Sequence, residues 1–532
     1  MSSFSQTSSE DRVARSAAVV SLATMASRLL GYVRDMLLAY SFGGGGVQAA
    51  FLVAFRLPNL LRRLLGEGTL SAAFVPAFTE VLVKDGKVRA WELASSVINL
   101  LAAVLSVVSL LGVVGAPYII SLLTLTDPGL GETQLAVGLT RIMFPYIFFV
   151  GLAALAMGIL NSQRHFASSA MSPVVLNLSM IASIIFLSPF LGKSLEEQIY
   201  GVAYGVLIGG LGQLMVQLPA LFKKGVNYRF SLNIGHPQVR KIGLLMLPGV
   251  VGMAADQVNI LVDTMLAWRI GPYAVPALYF SIRLLELPLG AFAVSIATAV
   301  LPAASEYAAV GDRDRFKETL SFALRLIFFI SIPATAGLIV LRHPIISLLF
   351  EHGEFDSVST GYTAWALLFY SIGIPAIGGV RVIVQGFYSL KDIRTPVKVG
   401  LTAVIANIAL SLALMGPLKH GGLALATSVA GCLNFIVLFG ILSRRVGGLG
   451  LRRVLRSLLR VAAASAIMGL AAWWTISRFD YSHPTLSYRV LALTVSLAVG
   501  IIVYSIFVFL FRAEEASALR RMVMERWASK RN

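Results

Sequence analysis

Arginine recurs in this chain where an apolar setting should exclude it. The segment SRLLGYVRD (27–35) places Arg28, Arg34 and Asp35 in an otherwise apolar run. A second run, AFRLPNLLRRLLGEG (54–68), carries Arg56, Asn59, Arg62, Arg63 and Glu67. A third, SIRLLELP (281–288), carries Arg283 and Glu286. The planar guanidinium fork meets two phosphate oxygens at once, so the chemistry these residues suit is binding of a phosphate or pyrophosphate. Arg283 and Glu286 are three apart and Arg28 and Asp35 seven apart, so each pair shares a helix face. The acids at Asp35 and Glu286 then orient arginines rather than touch an anionic ligand. Arg62 and Arg63 have a second reading, as helix-end cations reaching back to the interface. Arg56 has that of a structural ion pair. Pro58 and Pro288 interrupt their helices, which suits bent segments lining a cleft.

A smaller cluster is Asp263, Asn407, Ser411 and Thr427. Oxygen ligands from three helices suit a sodium ion. Against this, Asp263 has Arg269 nearby as an ion-pair partner. Nothing resembles a hydrolytic or redox site. The six histidines show no metal-ligand spacing, and His352–Gly353 reads as a surface loop. The GGGG at 43–46 lacks the following lysine of a phosphate-binding loop, so it reads as a tight turn. Cys432 is the one cysteine, which excludes an intrachain disulfide.

The elements that must hold these residues are membrane helices. Of 532 residues, 57% are hydrophobic and 13% charged, and the mean hydropathy is +0.80. A soluble domain carries about twice that charged fraction, so the excess apolar surface must face lipid. A span needs about 20 mainly apolar residues. On that rule helices are expected near 15–41, 47–66, 91–114, 135–160, 171–190, 198–221, 240–265, 273–301, 317–341, 359–386, 397–415, 421–443, 457–476 and 487–511. A short helix at the cytoplasmic surface is expected at 67–83, and the N-terminal run reads as a retained helix rather than a cleaved signal. An arginine at mid-bilayer costs roughly 2.5–3.5 kcal/mol even on a lenient scale. The arginines above must therefore face water or each other.

The net charge of +18 does not point to nucleic acid, because no soluble basic domain accompanies it. Its distribution sets orientation instead. Alternate loops hold roughly thirty against about six basic residues, and the rich side is cytoplasmic. Both termini are then cytoplasmic. An internal repeat is visible as well. AAFVPAFTEVLVKDGKVRAWELA (72–94) matches TAVLPAASEYAAVGDRDRFKETL (298–320), and GILNSQRHF (158–166) matches GFYSLKDI (386–393). Repeats with one membrane orientation imply two parallel six-helix lobes around a central cavity. The expected division is 1–225, 226–445, and 446–532 for two extra helices and the tail.

At these residues the chain resembles the MurJ (MviN) family of lipid II flippases, in the multidrug/oligosaccharidyl-lipid/polysaccharide exporter superfamily. The segments that carry the resemblance are SRLLGYVRD, FRLPNLLRRLLGEGTLSAAFVP (55–76), RLLELP (283–288), GFYSLKDIRTPVK (386–398) and GPLKHGGL (416–423). It implies a fourteen-helix protein of the bacterial inner membrane. It further implies outward transfer of undecaprenyl-pyrophosphate-linked peptidoglycan precursor by alternating access, without covalent chemistry. The family's functional arginines fall on Arg28, Arg34, Arg62 and Arg283, and its acid on Glu286. Its extra helices form a groove for the lipid tail, and the peptidoglycan-synthesis machinery is the implied partner. Two departures matter. Many members have an aspartate where this chain has Ala49, and Ser411 replaces an acid of the family's sodium site. A cation-coupled multidrug exporter, a flippase for another polyprenyl-linked glycan, and a non-transporting scaffold remain the alternatives.

Overall fold

A computed structural model describes residues 2–66, 69–127, 129, 131–230, 237–480, 483 and 485–516. Glu67 and the basic tail after residue 516 lie outside them. The regular elements among the described residues are all helices, and the chain divides into two compact units, Met1–Pro272 and Tyr273–Asn532.

The first unit contains α1 (Ser2–Phe42), α2 (Gly46–Gly66), α3 (Thr69–Lys84), α4 (Gly86–Val114), α5 (Ala116–Thr124) and α6 (Gly131–Met143). It continues with α7 (Tyr146–Ser162), α8 (Ala167–Ala182), α9 (Leu195–Met215), α10 (Leu218–Lys223) and α11 (Pro237–Ile270). The second holds α12 (Ala274–Pro288), α13 (Val294–Val310), α14 (Arg313–Val340), α15 (Arg342–Phe350) and α16 (Ser357–Ile372). It ends with α17 (Ile374–Ser389), α18 (Arg394–Leu418), α19 (His420–Val446), α20 (Leu451–Ile476) and α21 (Leu486–Leu510).

Among the described residues, nine helical segments are long and apolar enough to cross a membrane, or ten with α16 and α17 taken as one span bent by 43°. These correspond to the expected third to sixth and ninth to fourteenth spans. The other four ranges are also helical. Their helices are α1, α2, α11 and the α12–α13 pair, and they carry the arginine-rich segments. Alpha-2 contains three arginines. Alpha-12 runs for 15 residues before a π-helical turn at Leu289–Ala293 follows Pro288.

Local chemistry starts and stops the helices. Ser194 and Glu197 form a reciprocal capping box at the start of α9. Asp312 caps α14 and Asp356 caps α16 through their side chains. Alpha-9 meets α8 and the turn after it through Gly201, Gly205 and Gly209. A Cβ on Gly201 would stand 2.7 Å from the Ser188 backbone, so only glycine permits that approach.

Alpha-3 is the short helix expected at 67–83, and one side of it is buried. Leu70, Phe74, Phe78 and Val81 are buried in a cluster with Trp91, Leu155 and Ile242, so its apolar residues join the core of the first unit. The repeat is visible in matching local structure. Pro76 lies inside α3 and Pro302 inside α13. The turns that end α7 and α17 each place a basic residue in the left-handed region, Arg164 at φ 57° and Lys391 at φ 59°.

Packing and repeat divide the chain differently. The repeat falls at 225/226, whereas α11 packs against α2, α3, α4 and α5 in the first unit. Alpha-20 and α21 pack on each other, and α20 also lies against α14, so both belong to the second unit.

Candidate functional site

In the first unit, α1 presents two arginines in different states. Arg28 is exposed. Arg34 is only 11% exposed and turns inward. Its Nε and Nη2 donate to Asp35 Oδ1 at 3.0 and 2.7 Å, and its Nη1 donates to Asn177 Oδ1 at 3.0 Å. Asn177 in turn donates to the Ser27 carbonyl at 2.9 Å. Asp35 is buried and pairs with its neighbour Arg34. This network fixes one face of α1 against α8. On α2, Arg56, Asn59 and Arg62 are half-buried. Arg62 Nε donates to Asn59 Oδ1 at 3.1 Å, so Asn59 steers Arg62 from one turn away. Ala49 is fully buried beside the equally buried Gln48, and the methyl group offers no charge there.

In the second unit, Arg283 on α12 is held from two sides. Its Nη1 donates to Glu286 Oε2 at 3.0 Å and its Nη2 to the Tyr279 hydroxyl at 3.1 Å. The guanidinium carbon lies 4.9 Å from the centre of the Tyr279 ring. Arg283 keeps 29% of its side chain exposed and Glu286 keeps 50%. The guanidinium is thus oriented while part of its surface stays open to a ligand.

Three further intramembrane arginines escaped the sequence reading. Arg381 is half-buried on α17, and Arg141 is exposed near the end of α6. Arg325 is buried on α14. The rule that selected Arg283, an arginine inside an apolar run, applies equally to all three.

The oxygen cluster assembles in part. Asn407 Nδ2 donates to Thr427 Oγ1 at 3.1 Å, and the Ser411 hydroxyl donates to Asn407 Oδ1 at 3.3 Å. Asp263 lies on α11 in the first unit, where Asn259 Nδ2 donates to it at 3.4 Å. Within the second unit the oxygens are therefore neutral and already hydrogen-bonded to one another. Three such oxygens do not by themselves make a sodium site, which needs charge or more ligands. Among the described residues no group of three or more histidine, cysteine or acidic side chains is placed to hold a metal.

Alpha-2 runs unbroken through Pro58, contrary to expectation, whereas Pro288 is followed by a π-helical turn. An all-helical membrane fold with arginines on several such helices is that of a transporter. The fold agrees. An inward-facing multidrug transporter of the MATE family, in the MOP superfamily, superposes with a TM-score of 0.67 at 15% identity, over 79% of this chain and 95% of that one. A solved lipid II flippase MurJ, in an inward closed conformation, gives a TM-score of 0.78 at 28% identity, over 93% of this chain and 99% of that one.

Sequence comparison goes further. The family model described as lipid II flippase MurJ matches residues 38–494. A probable lipid II flippase MurJ of Vibrio cholerae is 36% identical, over 93% of this chain and 95% of its own. The lipid II flippase MurJ of Burkholderia cenocepacia is 34% identical, over 88% and 91%. The chain belongs to the lipid II flippase MurJ family and is a multi-pass membrane protein.

Proposed function

We propose that the chain moves lipid II from the cytoplasmic to the periplasmic leaflet of the bacterial inner membrane by alternating access. In this reading Arg28, Arg34, Arg56, Arg62 and Arg283 bind the pyrophosphate. Asp35, Asn59 and Glu286 set the directions of those guanidinium groups. The transfer makes and breaks no covalent bond. The polyprenyl tail stays in lipid beside α20 and α21. An inside-negative potential favours the outward step by about 2.3 kcal/mol per charge per 100 mV. Both termini are cytoplasmic, on the side richer in basic loops. No step is routed through sodium.

The observation that carries this reading is Arg283. Tyr279 and Glu286 orient it, yet it stays part-exposed inside an apolar helix. A drug exporter of the related fold would need acids for a cationic cargo, and the arginines oppose that. The test is complementation of a depleted strain with Arg28→Ala and Arg283→Ala variants, followed by labelling of lipid II in the outer leaflet. Each variant is expected to lose most of the labelled lipid. Wild-type labelling in both would defeat the reading.

A further inference from the structure

Among the described residues, Arg283, Glu286 and Arg381 come together in the second unit near the end of α12. Glu286 is engaged at 3.0 Å by Arg283. Arg381 lies eight residues into the apolar α17, which packs against the π-helical turn after Pro288. Its one hydrogen-bond partner is the Leu289 carbonyl, with Nη1 donating at 3.4 Å. That is long for such a bond. The same carbonyl already accepts from the Val294 backbone N–H, so it offers Arg381 little. Among the described residues no carboxylate stands within ion-pair distance of Arg381. Glu286 is the acid close enough to act on it through space. Among the described residues Arg283 and Arg381 thus both lie in the field of Glu286, beside the turn after Pro288.

An unpaired, half-buried arginine within a span is costly, and such residues normally have a partner. The main-chain carbonyl is too weak to be that partner. Phosphate is the anion whose geometry the guanidinium fork fits. From these observations we infer that Arg381 is a further binding residue for the anionic head group, engaging the pyrophosphate alongside Arg283. The inference rests on the reading of the chain as a lipid II flippase. Arg381 then adds a second fixed charge, which favours a diphosphate over a monophosphate.

The test uses the purified full chain in detergent micelles, with undecaprenyl pyrophosphate and undecaprenyl monophosphate as probes. Affinities are measured for the wild type, Arg381→Ala, Arg381→Lys and Arg283→Ala, together with thermal unfolding midpoints. Arg381→Ala is expected to weaken pyrophosphate binding by about tenfold or more, as loss of a charge-assisted hydrogen bond implies. Monophosphate binding should change much less, and the midpoint should stay at the wild-type value. Arg381→Lys should fall between, since it keeps charge but loses the fork. If Arg381→Ala binds pyrophosphate as the wild type does while Arg283→Ala does not, the inference falls and the flippase reading stands. If neither variant loses affinity, both fall. Equal losses for both lipids with a lowered midpoint would make Arg381 structural and would also overturn the inference.

Discussion

An arginine inside a membrane helix needs an answer to its charge, and this chain supplies several. Arg34 is answered by Asp35 and Asn177, Arg283 by Glu286 and an aromatic face, and Arg325 by two glutamates. The more complete the answer within the protein, the less remains for a ligand. Arg34 is therefore positioned by its network more firmly than Arg28 or Arg283. Removing Asp35 would strip a nearly buried guanidinium of its carboxylate while Asn177 stays bonded to it, a change that costs on the order of 3–5 kcal/mol. Asp35→Ala should accordingly lower the unfolding free energy in detergent by an amount of that order. A Cys or Ser at the exposed Arg28 should leave it nearly unchanged.

Outside the membrane, the Asp392 carboxyl is held down to about 2 by the Thr395 hydroxyl and backbone N–H, with Arg445 adding to the effect. Because the folded value lies below the unfolded one, its stabilising effect is present above pH about 4 and is lost as pH falls toward 2. Midpoints measured over that window should drop less for Asp392→Asn than for the wild type.

Among the elements, the exit of α21 is clasped to the rest of the second unit. Arg325 Nη1 donates to Glu514 at 2.7 Å and to Glu515 at 2.8 Å, and Arg453 on α20 reaches Glu514 at 2.6 Å. The Arg460 Nη1 donates to the Arg512 carbonyl and the Tyr504 hydroxyl to that of Phe329. Arg325 and Glu515 are both nearly fully buried, so the pair tolerates little loss. Glu515→Ala is expected to destabilise by about 3–5 kcal/mol. Its effect should show as early unfolding and easier proteolysis after α21, whereas Glu514→Ala, at a half-exposed position, should cost far less.

None of this clasp was legible beforehand. Arg325 lies twelve residues inside α14, and Glu514 and Glu515 lie beyond the last apolar run, so no local spacing links them. Helix existence, by contrast, was legible in every expected span, because apolar runs of span length specify helices without help from tertiary context. Which helix packs with which was not. Alpha-11 reads as the opening of the second repeat yet packs against α2, α3, α4 and α5 of the first unit. The burial of α3 was missed for a related reason. Its 16 residues are too short to read as a span, and only the neighbouring α4, α7 and α11 show that its apolar side forms part of a core.

On the scale of the molecule, charge asymmetry between loops makes a prediction about topology. In a Cys432→Ser background, Lys87→Cys should react with a membrane-impermeant thiol reagent only after the cells are opened. Lys419→Cys should react in intact cells. Both residues are exposed, so access would be set by the side of the membrane. The reverse pattern would invert the orientation and with it the direction of transfer. At this scale the arginines of Sequence analysis were legible as a class, since a charge in an apolar run is conspicuous. Of the partners that orient them, Glu286, one turn from Arg283, was legible as such, whereas Asn59 was read as a binding residue and not as the group that steers Arg62. Asn177, on a separate helix, was not legible.

The central proposal is that this chain moves lipid II and does so through its arginines. The most direct measurement is reconstitution of the purified protein into liposomes loaded with lipid II in one leaflet, followed by its appearance in the other. The account predicts transfer with the wild type and little above the protein-free rate with an Arg28→Ala, Arg283→Ala double variant. Transfer by that variant at the wild-type rate would contradict it.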